Sequence, residues 1–269
     1  MEMKIVVKGA GDLATGVAYV LKRAGFQVVM TEIAEPTVIR RTVSFADCMY
    51  KEKAVVENMV AKRADFSNYQ EILAENSIPV LADPEAKIIQ EFQPRVVVDA
   101  ILAKKNLGTS MDDAELVIGL GPGFCAGRDV HVVIETMRGH DLGRIILKGE
   151  ALPNTNTPGI IGGRSADRVL RAPKEGLFKE IVQIGDYVKE HELVAEVDGN
   201  AIKAPFDGVV RGLLKTGLAV FPGMKVGDVD PRPVQKNCYS ISDKARALGG
   251  ATLLAVMEQL GGIDGFSDH

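Results

Sequence analysis

The opening of the chain alternates between short apolar runs and a glycine-rich turn. Residues 5–7 form an apolar run with β-branched side chains, and residues 9–14 follow at once with the sequence GAGDLA. Apolar residues then recur with helical spacing, at Leu13, Val17, Val20 and Leu21. A second apolar run at residues 28–30 ends close to Glu32. This order predicts a strand, a tight turn, a helix and a second strand.

The turn has the GxGxxA form that opens dinucleotide-binding domains. In that form Gly9 allows the tight turn, Gly11 lets a pyrophosphate approach the backbone, and Ala14 lets the helix pack on the strand. Amides at the helix N-terminus attract an anion, and Glu32 would accept a hydrogen bond from a ribose hydroxyl. Asp12 is the fifth candidate cofactor-binding residue; its carboxylate would repel a pyrophosphate unless it turned away, and a helix N-cap is the alternative.

Further apolar runs alternate with helical patterns up to about residue 120. Strands are predicted at residues 54–59, 78–81, 96–100 and 116–119, and helices at residues 67–73 and 84–92. Strands that alternate with helices form a mostly parallel sheet with helices on both faces. The predicted fold class of residues 1–170 is therefore α/β, with a Rossmann-like, nucleotide-binding sheet domain.

Charged residues follow two of the predicted strands, on the side where open α/β sheets bind ligands. Arg40 and Arg41 could meet a phosphate, although solvated surface arginines are the favoured interpretation. Asp99 ends the strand at residues 96–100, and Lys104 and Lys105 come soon after. Asp99 is therefore a candidate acid or base, with a cap of the next turn as the alternative.

A second glycine-rich turn follows the strand at residues 116–119. Gly119, Gly121 and Gly123 lie in this turn, where backbone amides can form a nest for a second anionic group. Cys125 lies in the same turn. It is a candidate nucleophile, but a small residue that fills a crowded turn is the favoured interpretation.

Histidine and acidic residues near residue 135 raise the question of a metal site. His131 and Glu135 are two strand periods apart, about 13 Å, which is too far for both to bind one metal. No metal site is predicted here. His140 lies on a turn and is freer to reach a substrate, so the catalytic candidates are Asp99, Cys125 and His140.

Near residue 171 the sequence pattern changes, and it predicts short strands separated by turns that contain glycine and aspartate. Gly185 and Val188 recur 32 residues further on as Gly217 and Val220. Two alike halves resemble the biotinyl/lipoyl barrel-sandwich. The hairpin tip at residues 197–202 carries no lysine, so no carrier function is expected. The predicted domains are residues 1–170, the barrel-sandwich at 171–235, and a segment at 236–269 whose helix packs on the first domain.

Composition and charge exclude several classes of function. The 269 residues have a formal net charge of −4 and no tryptophan, which argues against a nucleic-acid partner. No apolar run is long enough for a membrane helix. Three cysteines, with no CxxC pair, favour a reducing cytoplasm over a disulfide framework or a structural zinc site. A cytoplasmic protein is expected, and assembly into a homo-oligomer is left open.

Several longer motifs recur together in a fixed order. They are IGLGPGF at 118–124, DVHVVIET at 129–136, RGHDLGRII at 138–146, RVLRAP at 168–173, VGDVDPR at 226–232 and ISDKA at 241–245. With these motifs the chain resembles, over nearly all its length, the YqeB family of accessory proteins of the selenium-dependent molybdenum hydroxylase system. Its first domain is similar to the Rossmann domain of the xanthine dehydrogenase accessory (XdhC/CoxI) proteins.

The resemblance implies a maturation protein that serves a molybdenum hydroxylase as its partner. Its glycine turn would bind a nucleotide or another phosphate-bearing small molecule, with NAD(P) or a molybdopterin-type cofactor as the candidates. Whether it is an enzyme is left open. One alternative is an NAD-dependent oxidoreductase that uses Asp99 or His140 as its acid or base. The other is a non-catalytic scaffold that docks a hydroxylase through the barrel-sandwich.

Overall fold

A computed structural model describes residues 3–155, 159 and 161–261. Its largest unit is a nine-stranded sheet in the first half of the chain, beside a two-stranded sheet of β8 and β11. The strands of this half are β1 (Lys4–Lys8), β2 (Gln27–Glu32), β3 (Lys53–Val56), β4 (Met59–Ala64), β5 (Ile78–Ala82), β6 (Val96–Asp99), β7 (Leu116–Leu120), β8 (Cys125–Ala126), β9 (Val132–Ile134), β10 (Ile145–Ile146) and β11 (Gly149–Glu150).

The large sheet is mixed, with the order β10-β9-β7-β6-β1-β2-β5-β4-β3. The seven strands from β9 to β4 in this order pair in parallel, and β10 and β3 add an antiparallel strand at each edge. Successive side chains of a strand point to opposite faces. Ile5 and Val7 accordingly belong to one core, while Val6 belongs to another on the opposite face.

Two long helices cover one face of this sheet. The helices are α1 (Asp12–Arg23), α2 (Cys48–Lys51), α3 (Tyr69–Ala74), α4 (Ile88–Phe92) and α5 (Asp243–Leu260). Val17 and Leu21 of α1 share a core with Leu248 and Val256 of α5. The shorter helices α3 and α4 contribute Tyr69, Ile72, Ile88 and Phe92 to the core on the other face. The helix close to the C-terminus thus completes the side of the sheet on which α1 lies.

The second half of the chain forms two four-stranded antiparallel sheets, β12-β19-β17-β14 and β16-β15-β13-β18. Their strands are β12 (Val169–Arg171), β13 (Gly176–Glu180), β14 (Tyr187–Val188), β15 (Leu193–Val197), β16 (Asn200–Lys203), β17 (Gly208–Leu213), β18 (Ala219–Val220) and β19 (Lys225–Asp230). We refer to residues 169–230 as the β-rich region. Its core is built around Phe178, Val194, Val209 and Val226.

Hydrogen bonds join the β-rich region to the segment that follows β2. The amide of Leu213 donates to the carbonyl of Ile39 at 2.9 Å, and Nε of Arg41 donates to the carbonyl of Leu213 at 2.9 Å. Ile39 and Tyr50 pack directly against the core of the β-rich region. Residues from the first half of the chain therefore complete the core of the second half.

The predicted fold class, a Rossmann-like domain followed by a separate barrel-sandwich, is wrong. The structure is a mixed α/β arrangement around a large mixed sheet with antiparallel strands at both edges. Helices α2, α3 and α4 have only four to six residues, so the sheet lacks the regular helical layers that the prediction placed on both faces. No helix among the described residues is long and apolar enough to span a bilayer.

Candidate functional site

A cleft of about 940 Å³ opens where the first turns of α1 and α5 face the β-rich region. Among the described residues that line it, six are cationic and two are acidic. The cations are Arg40, Arg138, Arg168, Arg211, Lys225 and Lys244, and the acids are Asp12 and Asp228. Apolar side chains are contributed by Leu13, Pro122, Met137, Leu152 and Ile161. We call this site the cationic cleft.

Each arginine of the cationic cleft has one carboxylate partner. Arg40 contacts Asp12 at 3.2 Å, and Arg211 contacts Asp230 at 3.6 Å. Arg168 forms a buried ion pair with Asp228. The two terminal nitrogens of Arg138 donate to the two carboxylate oxygens of Asp243 at 2.6 and 2.8 Å. These pairs hold the guanidinium groups in fixed orientations.

Three of these arginines keep an unused donor. The Nε atoms of Arg40, Arg168 and Arg211 are buried and have no hydrogen-bond partner among the described residues. The side chains of Arg168 and Arg211 are each only 8% exposed. A buried donor without an acceptor costs about 1–3 kcal/mol. All three of these donors belong to residues that line the cationic cleft.

The two lysines of the cleft have no carboxylate partner. Neither amine makes a hydrogen bond or an ion pair within the part of the chain that the structure describes. Desolvation lowers the pKa of Lys225, and the charge of Arg168 adds to this. Desolvation likewise lowers the pKa of Lys244, with Arg138 as the neighbouring positive charge. The cleft thus holds positive groups at an electrostatic cost that a bound anion would relieve.

Both long helices begin at the cleft. Asp12 and Leu13 start α1, whose N-cap is Gly11 without a side-chain hydrogen bond. Ser242 caps α5, and its hydroxyl accepts a hydrogen bond from the amide of Ala245 at 3.2 Å. The N-terminal end of a helix carries a partial positive charge. Two such ends therefore add to the positive potential of the cationic cleft.

The predicted glycine turn is held by Glu32. One carboxylate oxygen of Glu32 accepts from the amide of Ala10 and the other from the amide of Ile33, each at 2.9 Å. Thr15 donates its hydroxyl to the carbonyl of Ala10 at 3.2 Å. Burial raises the pKa of Glu32. Glu32 therefore lies at the turn as an acceptor of its amides, and its predicted contact with a ribose stays a prediction.

Replacing Glu32 with alanine is expected to loosen this turn. Because the amide of buried Ala10 would lose its acceptor, we expect the free energy of unfolding to fall by about 1–3 kcal/mol. Urea denaturation followed by circular dichroism measures this change. Glu35→Ala is the control, since Glu35 is exposed and its loss should change stability by no more than about 0.5 kcal/mol. Equal effects of the two substitutions would contradict the role of Glu32.

The small residues of the first turn are explained by close packing. Gly9 has a φ of +90°, and a Cβ there would lie 3.1 Å from the carbonyl oxygen of Ala100. Ala14 is buried, and Gly11 has Val38 close by. Among the predicted cofactor-binding residues of this turn, Asp12 is the one that lines the cationic cleft. The binding roles of Gly9, Gly11 and Ala14 stay predictions.

The second glycine turn is crowded by the protein itself. A Cβ on Gly119 would lie 2.6 Å from the Phe124 ring, and one on Gly123 would lie 2.7 Å from the amide nitrogen of Lys105. A Cβ on Gly121 would lie 2.5 Å from the hydroxyl oxygen of Thr136. These approaches explain glycine at all three positions, and the predicted anion nest remains untested.

The three catalytic candidates lie apart from one another. Asp99 is buried and accepts from the hydroxyl of Thr109 at 2.6 Å. Cys125 is half-buried, and its amide donates to Asp129 at 2.8 Å. His140 is exposed. None of the three is among the described residues that line the cationic cleft, so the structure does not bring them together there.

The side chains of His131 and Glu135 each accept hydrogen bonds from backbone amides. Nδ1 of His131 accepts from the amide of Val117 at 3.0 Å. The carboxylate of Glu135 accepts from the amides of Met137 and Leu152, each at 2.7 Å. Across the described residues, no group of three or more histidine, cysteine or acidic side chains is placed to hold a metal ion.

Sequence reasoning missed most of the cleft. For Arg40 the sequence favours a solvated surface position over a phosphate contact, yet its side chain is 11% exposed and lines the site. Arg168, Arg211 and Lys244 were not singled out at all. One signal was available: Arg211 interrupts the otherwise apolar and glycine run GVVRGL, where a charge needs a buried partner.

No family model matches the chain. It is 50% identical over 254 residues to the uncharacterized protein YqeB of Escherichia coli strain K12, a match that covers 94% of this chain and 47% of that protein. The chain thus spans about half the length of this curated relative. The similarity supports the resemblance to YqeB, and it gives no support to a role in a selenium-dependent molybdenum hydroxylase system.

The chain also has low similarity to several solved structures. An aspartoacylase family protein from Mesorhizobium loti is 10% identical, with 86% of each chain covered and a TM-score of 0.28. A succinylglutamate desuccinylase from Silicibacter sp. TM1040 is 12% identical, with 85% of this chain and 84% of the other covered and a TM-score of 0.25. An ectoine utilization protein from Ruegeria pomeroyi is 12% identical, with 85% and 86% covered and a TM-score of 0.25.

These findings correct the predicted function as well as the predicted fold. The structural neighbours are aspartoacylase and desuccinylase proteins, not Rossmann proteins joined to a barrel-sandwich. The predicted molybdenum hydroxylase accessory protein, the NAD-dependent oxidoreductase and the barrel-sandwich scaffold are accordingly wrong. The function proposed below is inferred from the residues of the cationic cleft.

Proposed function

We propose that the protein binds a small organic molecule with a phosphate or an equivalent dianionic group in the cationic cleft. The observation that carries the proposal is the excess of cationic over acidic side chains among the described residues that line the cleft. The Nε atoms of Arg168 and Arg211 are buried without an acceptor, and the amines of Lys225 and Lys244 have no carboxylate partner among the described residues. Phosphate oxygens are the acceptors that arginine binds with the best geometry.

The charges of the cleft support a dianion. Four arginines are each paired with one acid, as described above, so their charges are largely offset. Lys225 has no carboxylate partner among the described residues, so the lining keeps an excess of positive charge. A phosphate monoester carries close to two negative charges near neutral pH. A phosphate monoester therefore complements the excess positive charge of the lining.

The size and the apolar part of the lining support an organic ligand. Pockets of roughly 300–1,000 Å³ hold small molecules, and the cleft has about 940 Å³. A phosphate ion alone would leave most of this volume to water. Leu13, Met137 and Leu152 offer apolar surface beside the charged groups. A ligand with a phosphate at one end and an apolar body would use both parts of the lining.

Isothermal titration with phenyl phosphate, inorganic phosphate and phenol tests the proposal on the intact protein. We expect saturable binding of phenyl phosphate, weaker binding of inorganic phosphate and no measurable binding of phenol. Arg211→Met should weaken the binding of phenyl phosphate roughly 10- to 100-fold, because a charged hydrogen bond contributes about 1.5–3 kcal/mol. Absence of saturable binding of either phosphate to the unmodified protein would overturn the proposal.

Arg211 suits this test because its replacement does not leave a buried carboxylate without a partner. Asp230, its partner, also accepts two hydrogen bonds from the guanidinium of Arg232, at 2.9 and 2.7 Å. Arg171→Met is the matched control, since Arg171 is exposed and is not among the described lining residues. Equal affinity of both variants for phenyl phosphate would place the binding site elsewhere.

A further inference from the structure

Lys244 occupies a position that is unfavourable for a structural lysine. It is the second residue of α5, close to the positive end of the helix. Cations stabilise the C-terminal end of a helix and are disfavoured at the start. The side chain also shares the cationic cleft with Arg138, the positive charge that contributes most to the lowered pKa of its amine.

The acids around Lys244 are already engaged. Asp243 accepts two hydrogen bonds from Arg138, and Asp12 is paired with Arg40. Glu135 accepts from two backbone amides. The amine of Lys244 has neither a hydrogen bond nor an ion pair within the described residues. Desolvation and the charge of Arg138 lower the pKa of Lys244 against the opposing charges of Asp12, Glu135 and Asp243, and an unprotonated amine is a nucleophile.

Lys225 differs in its surroundings. Lys225 is exposed at the start of β19, whereas the side chain of Lys244 is half-buried. Lys225 is therefore better placed to stay charged and to contact an anion. The two lysines of the cleft have distinct roles on this basis.

We propose that Lys244 forms an imine with the carbonyl group of an aldehyde or ketone that also carries the phosphate bound by the arginines. This inference rests on the proposed function. The lysine nitrogen adds to the carbonyl carbon, and the carbonyl oxygen takes up a proton to give a carbinolamine. Both protons of the amine end on that oxygen, the first in the carbinolamine and the second in the water that leaves as the C=N bond forms. No electron donor or acceptor is required.

Pyridoxal 5′-phosphate is a suitable probe because it carries an aldehyde and a phosphate monoester. The intact protein is incubated with a low concentration of the probe, reduced with sodium borohydride and digested for mass spectrometry. We expect saturable labelling of Lys244 that inorganic phosphate suppresses. Pyridoxal without the phosphate should label Lys244 at least about tenfold more slowly at the same concentration, because it lacks the charged hydrogen bonds to the arginines.

Two variants separate this inference from the proposed function. Lys244→Arg retains a cation in the cleft but cannot form an imine, so saturable binding of phenyl phosphate should persist while the label is lost. Lys236→Arg changes an exposed lysine and should keep both properties. If phenyl phosphate binds but the label is on Lys225 or is spread over surface lysines, the imine inference is overturned alone. If phenyl phosphate does not bind, the proposed function fails.

Discussion

Replacing Arg168 with methionine is expected to lower the free energy of unfolding by about 3–5 kcal/mol, since the substitution leaves a buried charge without its partner. Arg168 lies just before β12 and pairs with Asp228 on β19, and their side chains are 8% and 5% exposed. Methionine fills much of the volume of the arginine side chain, so the main loss is electrostatic. Guanidinium denaturation followed by circular dichroism measures the effect.

A second variant tests whether the buried charge is the cause. In Arg168→Met with Asp228→Leu both charges are removed, and apolar replacement of a buried pair is often neutral or stabilising. We expect the double variant to regain most of the stability that Arg168→Met loses. Arg171→Met, which removes an exposed arginine from the same strand, should change stability by no more than about 0.5 kcal/mol. If the double variant is less stable than Arg168→Met, the charges are not a coupled buried pair.

Local elements of the first half could be predicted from the sequence. The strand, helix and strand expected from residues 5–30 are β1, α1 and β2, because their hydrophobic spacing is set by neighbours along the chain. The arrangement of the elements was not predictable in this way. The antiparallel edge strands β3 and β10 are defined by their pairing with β4 and β9. The hydrophobic periodicity of one strand does not indicate which strand it pairs with.

The boundary of the β-rich region shows the same limit. Its valine-rich strands suggested an independent barrel-sandwich, but Ile39 and Tyr50 complete its core from the first half of the chain. Long-range burial of this kind becomes visible only when the two regions are placed together.

The candidate site was predictable only where one segment contained the whole signal. Asp12 could be predicted as a site residue because it belongs to the glycine turn, which is a local motif. Arg40, Arg211 and Lys244 lie far apart in sequence and meet in the cationic cleft through tertiary contacts. A charged residue in an apolar strand, such as Arg211, indicates a buried partner but not which partner. The cleft is therefore a property of the assembled fold.

Two neighbouring glycines in α5 should respond in opposite ways to alanine. A Cβ on Gly249 would lie 2.7 Å from the carbonyl oxygen of Gly16 and 2.7 Å from Cγ2 of Val20, whereas Gly250 is exposed and has no atom within 4 Å of its Cβ position. Gly249→Ala is expected to cost about 1–3 kcal/mol through overpacking. Gly250→Ala should stabilise the helix by roughly 0.5–1 kcal/mol. Thermal and urea denaturation of the two variants measure the contrast.

The same pair of variants links the helix contact to the cleft. Because α1 carries Asp12 and α5 carries Lys244 into the cationic cleft, a wider separation of the helices would move the two sides of the site apart. Gly249→Ala is therefore expected to weaken the binding of phenyl phosphate, and Gly250→Ala to leave it unchanged. If Gly249→Ala stabilised the protein as Gly250→Ala should, the close approach of α5 to α1 would be wrong, and with it the geometry on which the site depends.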